Sequence, residues 1–173
     1  YLLGVDELDM DRLGNAFVIY QGTHGDRGAH RADIILPGAA YTEKNGTYVN
    51  TEGRSQLAFR AAYPPGQAKE DWTILRALSA HVGKTLPYDN LTALRAALYE
   101  AAPHLAAIDE VQPVDIAVIK ALGAESGEVD DQPFGSAIED FYLSNAIARA
   151  SSIMAEMSAL RQAGLQGATG TDG

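Results

Sequence analysis

The sequence predicts an α/β protein, on three observations. Ala16–Tyr20 (AFVIY) is an unbroken apolar run rich in strand-forming residues. Asp33–Leu36 is a second such run, closed by Pro37-Gly38, which is expected to stop the strand. Beyond Glu70 the apolar spacing changes to that of helices. The link between the two strands is barely the dozen or so residues that a parallel crossover needs. It must therefore be a loop or a very short helix.

The remaining elements follow in chain order. Tyr1–Val5 reads as a short buried strand, and Asp6–Asn15 as a polar connection with room for one helical turn. Gln21–Arg31 is a glycine-rich loop. Gly46–Asn50 and Ser55–Tyr63 alternate weakly and are expected to be extended, before the break at Pro64-Pro65-Gly66. Glu70–Val82 is expected to be a helix. Its first acids suit the helix dipole, Trp72, Leu75, Leu78 and Val82 share one face, and Gly83 follows as a stop. Asp89-Asn90 caps a second helix, Leu91–Ala102, which ends before Pro103. Asp109–Pro133 carries few structural signals apart from Ile116–Leu122. Ser144 is the expected N-cap of a last helix, Asn145–Ala163, with Ile147, Ala150, Met154, Met157 and Leu160 as its apolar stripe. Gly164 onward reads as a flexible tail.

Composition narrows the function. With 173 residues the chain is long enough for a sizeable core. It opens inside a strand-like run, as expected of a piece of a larger protein. It has no cysteine, which excludes disulfides, thiolate zinc sites and cysteine-ligated iron–sulfur clusters within these residues. A net charge of −10 argues against nucleic acid and anionic lipid as partners. No apolar run approaches the length of a membrane helix. Between Asp109 and Leu143 stand nine acids (Asp109, Glu110, Asp115, Glu125, Glu128, Asp130, Asp131, Glu139, Asp140) against one base, Lys120. This stretch reads first as a solvated face or linker, and second as a docking strip for a basic partner.

Four constellations bear on chemistry. Gly22–Gly28 (GTHGDRG) follows a strand, where backbone N–H groups often meet phosphates. Its spacing is not that of the dinucleotide fingerprint, so a tight turn is the first reading. His24 and His30 match no zinc spacing, and Arg27 and Arg31 beside them oppose a cation. Glu43, Lys44, Asn50, Glu52 and Arg54 are read as a polar corner that pins irregular backbone. Its carboxylates pair with Lys44, Arg31 or Arg54 rather than forming an acid–base dyad. No G-x-S-x-G nucleophile elbow exists.

Three stretches together resemble one family. They are YQGTHGDRGAHRADIILPGAAYTEKNGTYVNTEGR, PPGQAKEDWTILRALSAHVGKTLPYD and DFYLSNAIARASSIMAEMSAL, in that order. They are similar to the large iron–sulfur subunit, of the G type, of respiratory complex I, NADH:quinone oxidoreductase. That family is a branch of the molybdopterin oxidoreductase superfamily. The resemblance spans nearly the whole chain to about Arg161 and is weakest from Asp109 to Gln132.

It implies an α/β fragment of a molybdopterin-oxidoreductase-like domain with short parallel strands, glycine-rich loops and C-terminal helices. The expected organisation is the end of that domain over 1–63, a helical extension over 64–108, and an acidic, poorly structured linker over 109–143. A C-terminal helix over 144–163 and a tail over 164–173 complete it. The resemblance implies no catalytic residue, no metal ligand and no cofactor in this fragment, the iron–sulfur clusters being expected in an N-terminal part of the same subunit. The residues expected to matter are structural: Gly25 and Gly28 in the loop, Pro37 and Gly38 at the strand stop, and Glu43, Gly46, Asn50, Glu52, Gly53 and Arg54 in the polar corner. The implied partners are other peripheral-arm subunits, with no nucleic acid and no membrane insertion. The implied location is the cytoplasmic face of a bacterial inner membrane or the mitochondrial matrix side. Two rival readings are a fragment of a true molybdopterin enzyme of formate dehydrogenase type and an autonomous binding module that shares the fold.

Overall fold

The computed structural model describes residues 1–111, 113–124, 127 and 130–167. Glu125 and Glu128 of the acidic stretch, and residues 168–173 of the tail, lie outside the described residues. Contacts divide the chain into two units, 1–36 with the described part of 132–173, and 37–131. The antiparallel hairpin of Gly46–Val49 and Ser55–Ala58 thus falls in the second unit, with the helices that follow it.

The first unit is built on a three-stranded sheet in the order β1 (Leu2–Leu3), β2 (Ile19–Gly22), β3 (Ile34–Pro37). Strands β1 and β2 are parallel, with Leu2 opposite Tyr20 and Leu3 opposite Gln21. Strand β2 starts three residues later than the apolar run does. Val18 is held by Asp33, whose carboxylate accepts the Val18 N–H at 2.7 Å and whose N–H donates to the Val18 carbonyl at 2.8 Å. A 3-10 turn, Met10–Leu13, fills the connection after β1, and Asp9 caps it. The link between β2 and β3 is the short helix α1 (Arg27–Arg31). The core is small: Leu2, Val18, Tyr20 and Ala29, with Met10, Leu13 and Ala32 packed against them.

The C-terminal part of this unit differs from the expected single helix. It is a 3-10 turn, Phe141–Leu143, then α5 (Ala146–Arg149), then α6 (Ser152–Gly167). Asn145, not Ser144, caps α5 by accepting the Ala148 N–H at 2.9 Å. The break falls at Ala150-Ser151, where the Ser151 hydroxyl accepts the Met154 N–H and restarts the helix. The stripe expected to be buried is not. Ile147, Met154, Met157 and Leu160 are exposed, and among the described side chains of α6 the buried one is Ser158. Helix α6 also continues past Ala163 into the expected tail.

The second unit opens at Pro37, where β3 ends, although the backbone goes on pairing there. Pro37 is the last residue of β3, its carbonyl accepts the Lys69 N–H at 3.1 Å, and Gly38 forms a parallel bridge with Lys69. Proline lacks a donor but keeps its acceptor, so at a strand end it still pairs. Strands β4 (Gly46–Val49) and β5 (Ser55–Ala58) form an antiparallel hairpin. Helices α2 (Asp71–His81) and α3 (Leu91–Ala101) follow with the expected limits to within a residue, the second capped by Asn90. The segment expected to be an acidic, poorly structured linker contains helix α4 (Ile116–Gly123), capped by Asp115.

Gly28 carries a prediction. It is buried in α1, and a Cβ there would collide with the Val5 carbonyl and stand 2.8 Å from the Tyr20 ring. Gly28→Ala is expected to lower stability by about 2 kcal/mol, the ordinary cost of overpacking against backbone. Urea unfolding of the full-length protein checks it.

Candidate functional site

In an open α/β sheet the loops after the strands line the crevice where ligands bind. In the first unit those loops are Asp6–Glu7 after β1 and the Thr23–Asp26 turn after β2. Gly25 sits in that turn at φ 57°, the left-handed region that favours glycine. A crevice of about 480 Å³ lies here, lined by Asp6, Glu7, Arg27 and Arg149 together with the segment around Ile138–Asp140.

Asp6 is its buried floor. It is 2% exposed, and each carboxylate oxygen takes one donor: the Tyr20 hydroxyl at 3.0 Å and the Gly28 N–H at 3.0 Å. Burial, followed by the Asp6 carboxylate beside it, pushes the Tyr20 phenol up to about 12. Above the floor, Arg149 spans two carboxylates. Its Nη2 donates to Glu7 at 2.8 Å, its Nε to Asp26, and its Nη1 to the Leu143 carbonyl at 3.0 Å. The hydrogen bond from Arg149 is the main reason the Glu7 carboxyl is held below the usual carboxylate range. The guanidinium is itself held more firmly charged, first by Glu7 and then by Asp26. Within the C-terminal segment the Ser158 hydroxyl donates to Asp140, which holds the Asp140 carboxyl below the usual carboxylate range.

Part of this arrangement is already committed to internal partners. A phosphate at such a loop takes free backbone N–H groups and a free cation. Here the Gly28 N–H is given to Asp6, and Arg149 is given to Glu7 and Asp26. The molybdopterin dinucleotide that the fold family implies would meet carboxylates whose donors are already taken. Of the cations that line the crevice, Arg149 is committed in this way, and Arg27 also faces it.

The polar corner belongs to the second unit, and the crevice to the first. Asn50 accepts the N–H groups of Glu52 and Arg54, both at 3.0 Å, and so shapes the loop between β4 and β5, with Gly53 at φ 83°. Arg54 pairs with Glu52 at 3.4 Å and donates to the Asp109 carbonyl at 2.5 Å. Glu43 does not pair with a base as expected; its carboxylate accepts the Ala40 N–H at 3.0 Å and closes a 3-10 turn. Lys44 pairs with Asp71 instead. Arg31 donates to the carbonyls of Gly14 and Ala16 at 2.7 and 3.0 Å. Gly46 stands where a Cβ would meet the Tyr48 ring. His24 and His30 are exposed, and among the described residues no three potential metal ligands come together. Sequence reasoning missed Asp6, Glu7, Tyr20, Asp26 and Arg149 as a set. One signal was present: Arg149 is the sole Lys or Arg between residues 132 and 160.

An α/β unit with this loop arrangement is the architecture of molybdopterin oxidoreductases, and the family model described as "Molybdopterin oxidoreductase" matches residues 1–81. A second family model, for the C-terminal region of the G subunit of NADH-ubiquinone oxidoreductase, matches residues 108–157. The chain belongs to the family of the large iron–sulfur subunit of complex I. It is 49% identical over 92% of its length to the NADH dehydrogenase [ubiquinone] iron-sulfur protein 1, mitochondrial, of Solanum tuberosum, covering 22% of that protein. It is 48% identical over 90% of its length to the mitochondrial NADH-ubiquinone oxidoreductase 78 kDa subunit of Candida albicans, and 45% over 95% to that of Neurospora crassa, covering 23% of each. The chain therefore spans less than a quarter of the relatives it matches. These relatives favour the complex I reading over a formate dehydrogenase-like one.

Two predictions follow from the crevice. Folded Tyr20 holds its proton more tightly than an unfolded tyrosine near 10. Its stabilising contribution is full below about pH 10 and is lost as pH rises toward about 12. Unfolding free energy measured against pH is expected to fall in that window, with the fall reduced in Tyr20→Phe. Arg149→Ala is expected to cost about 1–2 kcal/mol, because Asp26 is only partly exposed and loses its partner. Arg149→Lys restores less than half of that, since an ammonium cannot bridge two carboxylates as a guanidinium does. Chemical unfolding of the two variants checks both.

Proposed function

We propose that this chain is a non-catalytic, structural part of the large iron–sulfur subunit of NADH:quinone oxidoreductase. The whole complex passes electrons from NADH through iron–sulfur clusters to quinone and translocates protons. On this reading the chain carries no catalytic residue and no cofactor. The clusters belong to the N-terminal part of the subunit. The chain stands in the peripheral arm against other arm subunits, on the matrix side in mitochondria or the cytoplasmic side in bacteria. Among the described residues, no helix is long and apolar enough to cross a membrane.

The observation that carries the scaffold reading is Arg149. A group placed at the strand-end crevice spends its hydrogen bonds on Glu7, Asp26 and the Leu143 carbonyl, and so ties the C-terminal segment to the loops where a ligand would sit. The polar corner acts in the same sense in its own unit. Asn50, Glu52, Gly53 and Arg54 fix the hairpin loop and tether it to Asp109.

Removal of residues 145–163 from the full-length subunit tests this. Native electrophoresis with an in-gel NADH stain is expected to show loss of the large NADH-active band, and normal assembly would overturn the structural role. Elemental analysis of the intact purified complex is expected to find no stoichiometric molybdenum. A molybdenum and pterin signal at one per complex would return the chain to the molybdoenzymes.

A further inference from the structure

Helix α4 has the sequence IAVIKALG and is apolar on every face except at Lys120. All of it is exposed: Ile116, Val118, Ile119 and Leu122 stand 62, 52, 53 and 68% open. A helix apolar all round belongs to an interior, and a contiguous exposed apolar patch marks an interaction surface. In the sequence the helix is flanked by carboxylates, Asp109 and Asp115 before it and Asp131 after it. An apolar centre with a charged rim is the anatomy of a protein interface.

Charge and position identify the occupant. The acidic rim, in a chain of net charge −10, repels an anionic lipid surface and a second copy of itself. It attracts a basic rim. The helix also lies outside the segment matched to molybdopterin oxidoreductases, residues 1–81, and inside the one matched to the C-terminal region of the complex I G subunit, residues 108–157. A feature needed to seat a neighbouring subunit is expected in that second segment, because the ancestral fold has no use for it.

We propose that α4 is a docking helix for another subunit of the complex, one that presents an apolar patch rimmed by Lys and Arg. The proposal rests on the scaffold reading and names a surface for it. Ile116, Val118, Ile119 and Leu122 enter the partner, and the flanking carboxylates set the approach and the register.

The test uses the assembled complex, with p-benzoylphenylalanine in place of Ile119 in the full-length subunit. Irradiation followed by peptide mapping is expected to find a cross-link to one other subunit, at an apolar stretch flanked by Lys or Arg. A cross-link only within the same polypeptide, only to a second copy, to an acidic stretch, or to nothing overturns the proposal. The first of these leaves the scaffold reading standing. Two further variants read the same contact without a probe. Ile119→Asp is expected to lower retention of the cross-linked subunit after a high-salt wash by about tenfold. Lys120→Glu removes the one like charge and is expected to raise that retention by about threefold. Weaker retention in Lys120→Glu makes the partner surface acidic and the proposal wrong. Normal assembly after removal of residues 145–163, with the α4 cross-link intact, overturns the scaffold role of the C-terminal helices and leaves α4 as a docking site.

Discussion

The first unit turns on the carboxylate of Asp6. A buried carboxylate is costly unless its oxygens meet donors, and Asp6 finds two, the Tyr20 hydroxyl from β2 and the Gly28 N–H from α1. One side chain at the end of β1 thus fixes the spacing of the two parallel strands and the start of the helix between β2 and β3. The requirement propagates. Residue 28 must lack a Cβ for α1 to come this close to the Val5 carbonyl and the Tyr20 ring. The turn before α1 must then reverse within a few residues, which Gly25 allows through its positive φ. A loop that resembles a phosphate cradle in sequence is, in three dimensions, the seat of a buried aspartate.

The chemistry of that crevice follows from which groups are already taken. Ligand-binding α/β folds offer unsatisfied N–H groups at the strand ends, and an anion satisfies them. Here the Asp6 carboxylate takes the Gly28 N–H, and Arg149, one of two arginines that line the crevice, is held by Glu7 and Asp26. A guanidinium between two carboxylates has no unbalanced charge to offer a phosphate. A few substitutions of this kind change what a fold does without changing the fold, because the strands and their connections are untouched. The base also sits at a break in the C-terminal helix. Arg149 is the last residue of α5, and Ser151 restarts the chain as α6, so the base is presented from a short, separately capped turn.

Local signals make much of the fold legible, and the crevice much less so. The limits of α2 and α3 are readable because the cap, the apolar spacing and the stop signal agree: Asn90 before α3, and Gly83 after α2 at φ 74°. The hairpin loop is readable because Asn50 satisfies backbone groups within four residues of itself. Strand β2 begins three residues inside its apolar run because Val18, the centre of that run, is claimed by Asp33, fifteen residues on. Pro37 reads as a stop because it lacks a donor, although the bond it makes to Lys69 uses its carbonyl. The Arg149 contacts span more than one hundred residues, and no local pattern encodes a partner at that distance. The stripe on α6 reads as buried because amphipathic spacing says which side chains share a face but not what covers it.

That last point bears on what holds such a chain in its native state. Among the described residues the buried apolar side chains are Leu2, Val18, Tyr20, Ala29 and Ala39. That is a small interior for 173 residues, which ordinarily bury well over half of the surface of the extended chain. Ile34 and Ile35 of β3 are 44 and 55% exposed, although sheets with parallel strands are normally covered on both faces. Each large apolar side chain moved from water into an interior contributes about 1.5–3 kcal/mol, so covering the exposed residues of β3, α4 and α6 would add substantially to the local core. Stability that comes from a partner depends on the partner being present. On the scaffold reading, folding and docking are therefore one equilibrium for this chain. On the same reading, substitutions at Asp6, Gly28 or Arg149 act first on the amount of folded, assembled protein, whereas a residue that touched substrate would alter turnover at normal abundance.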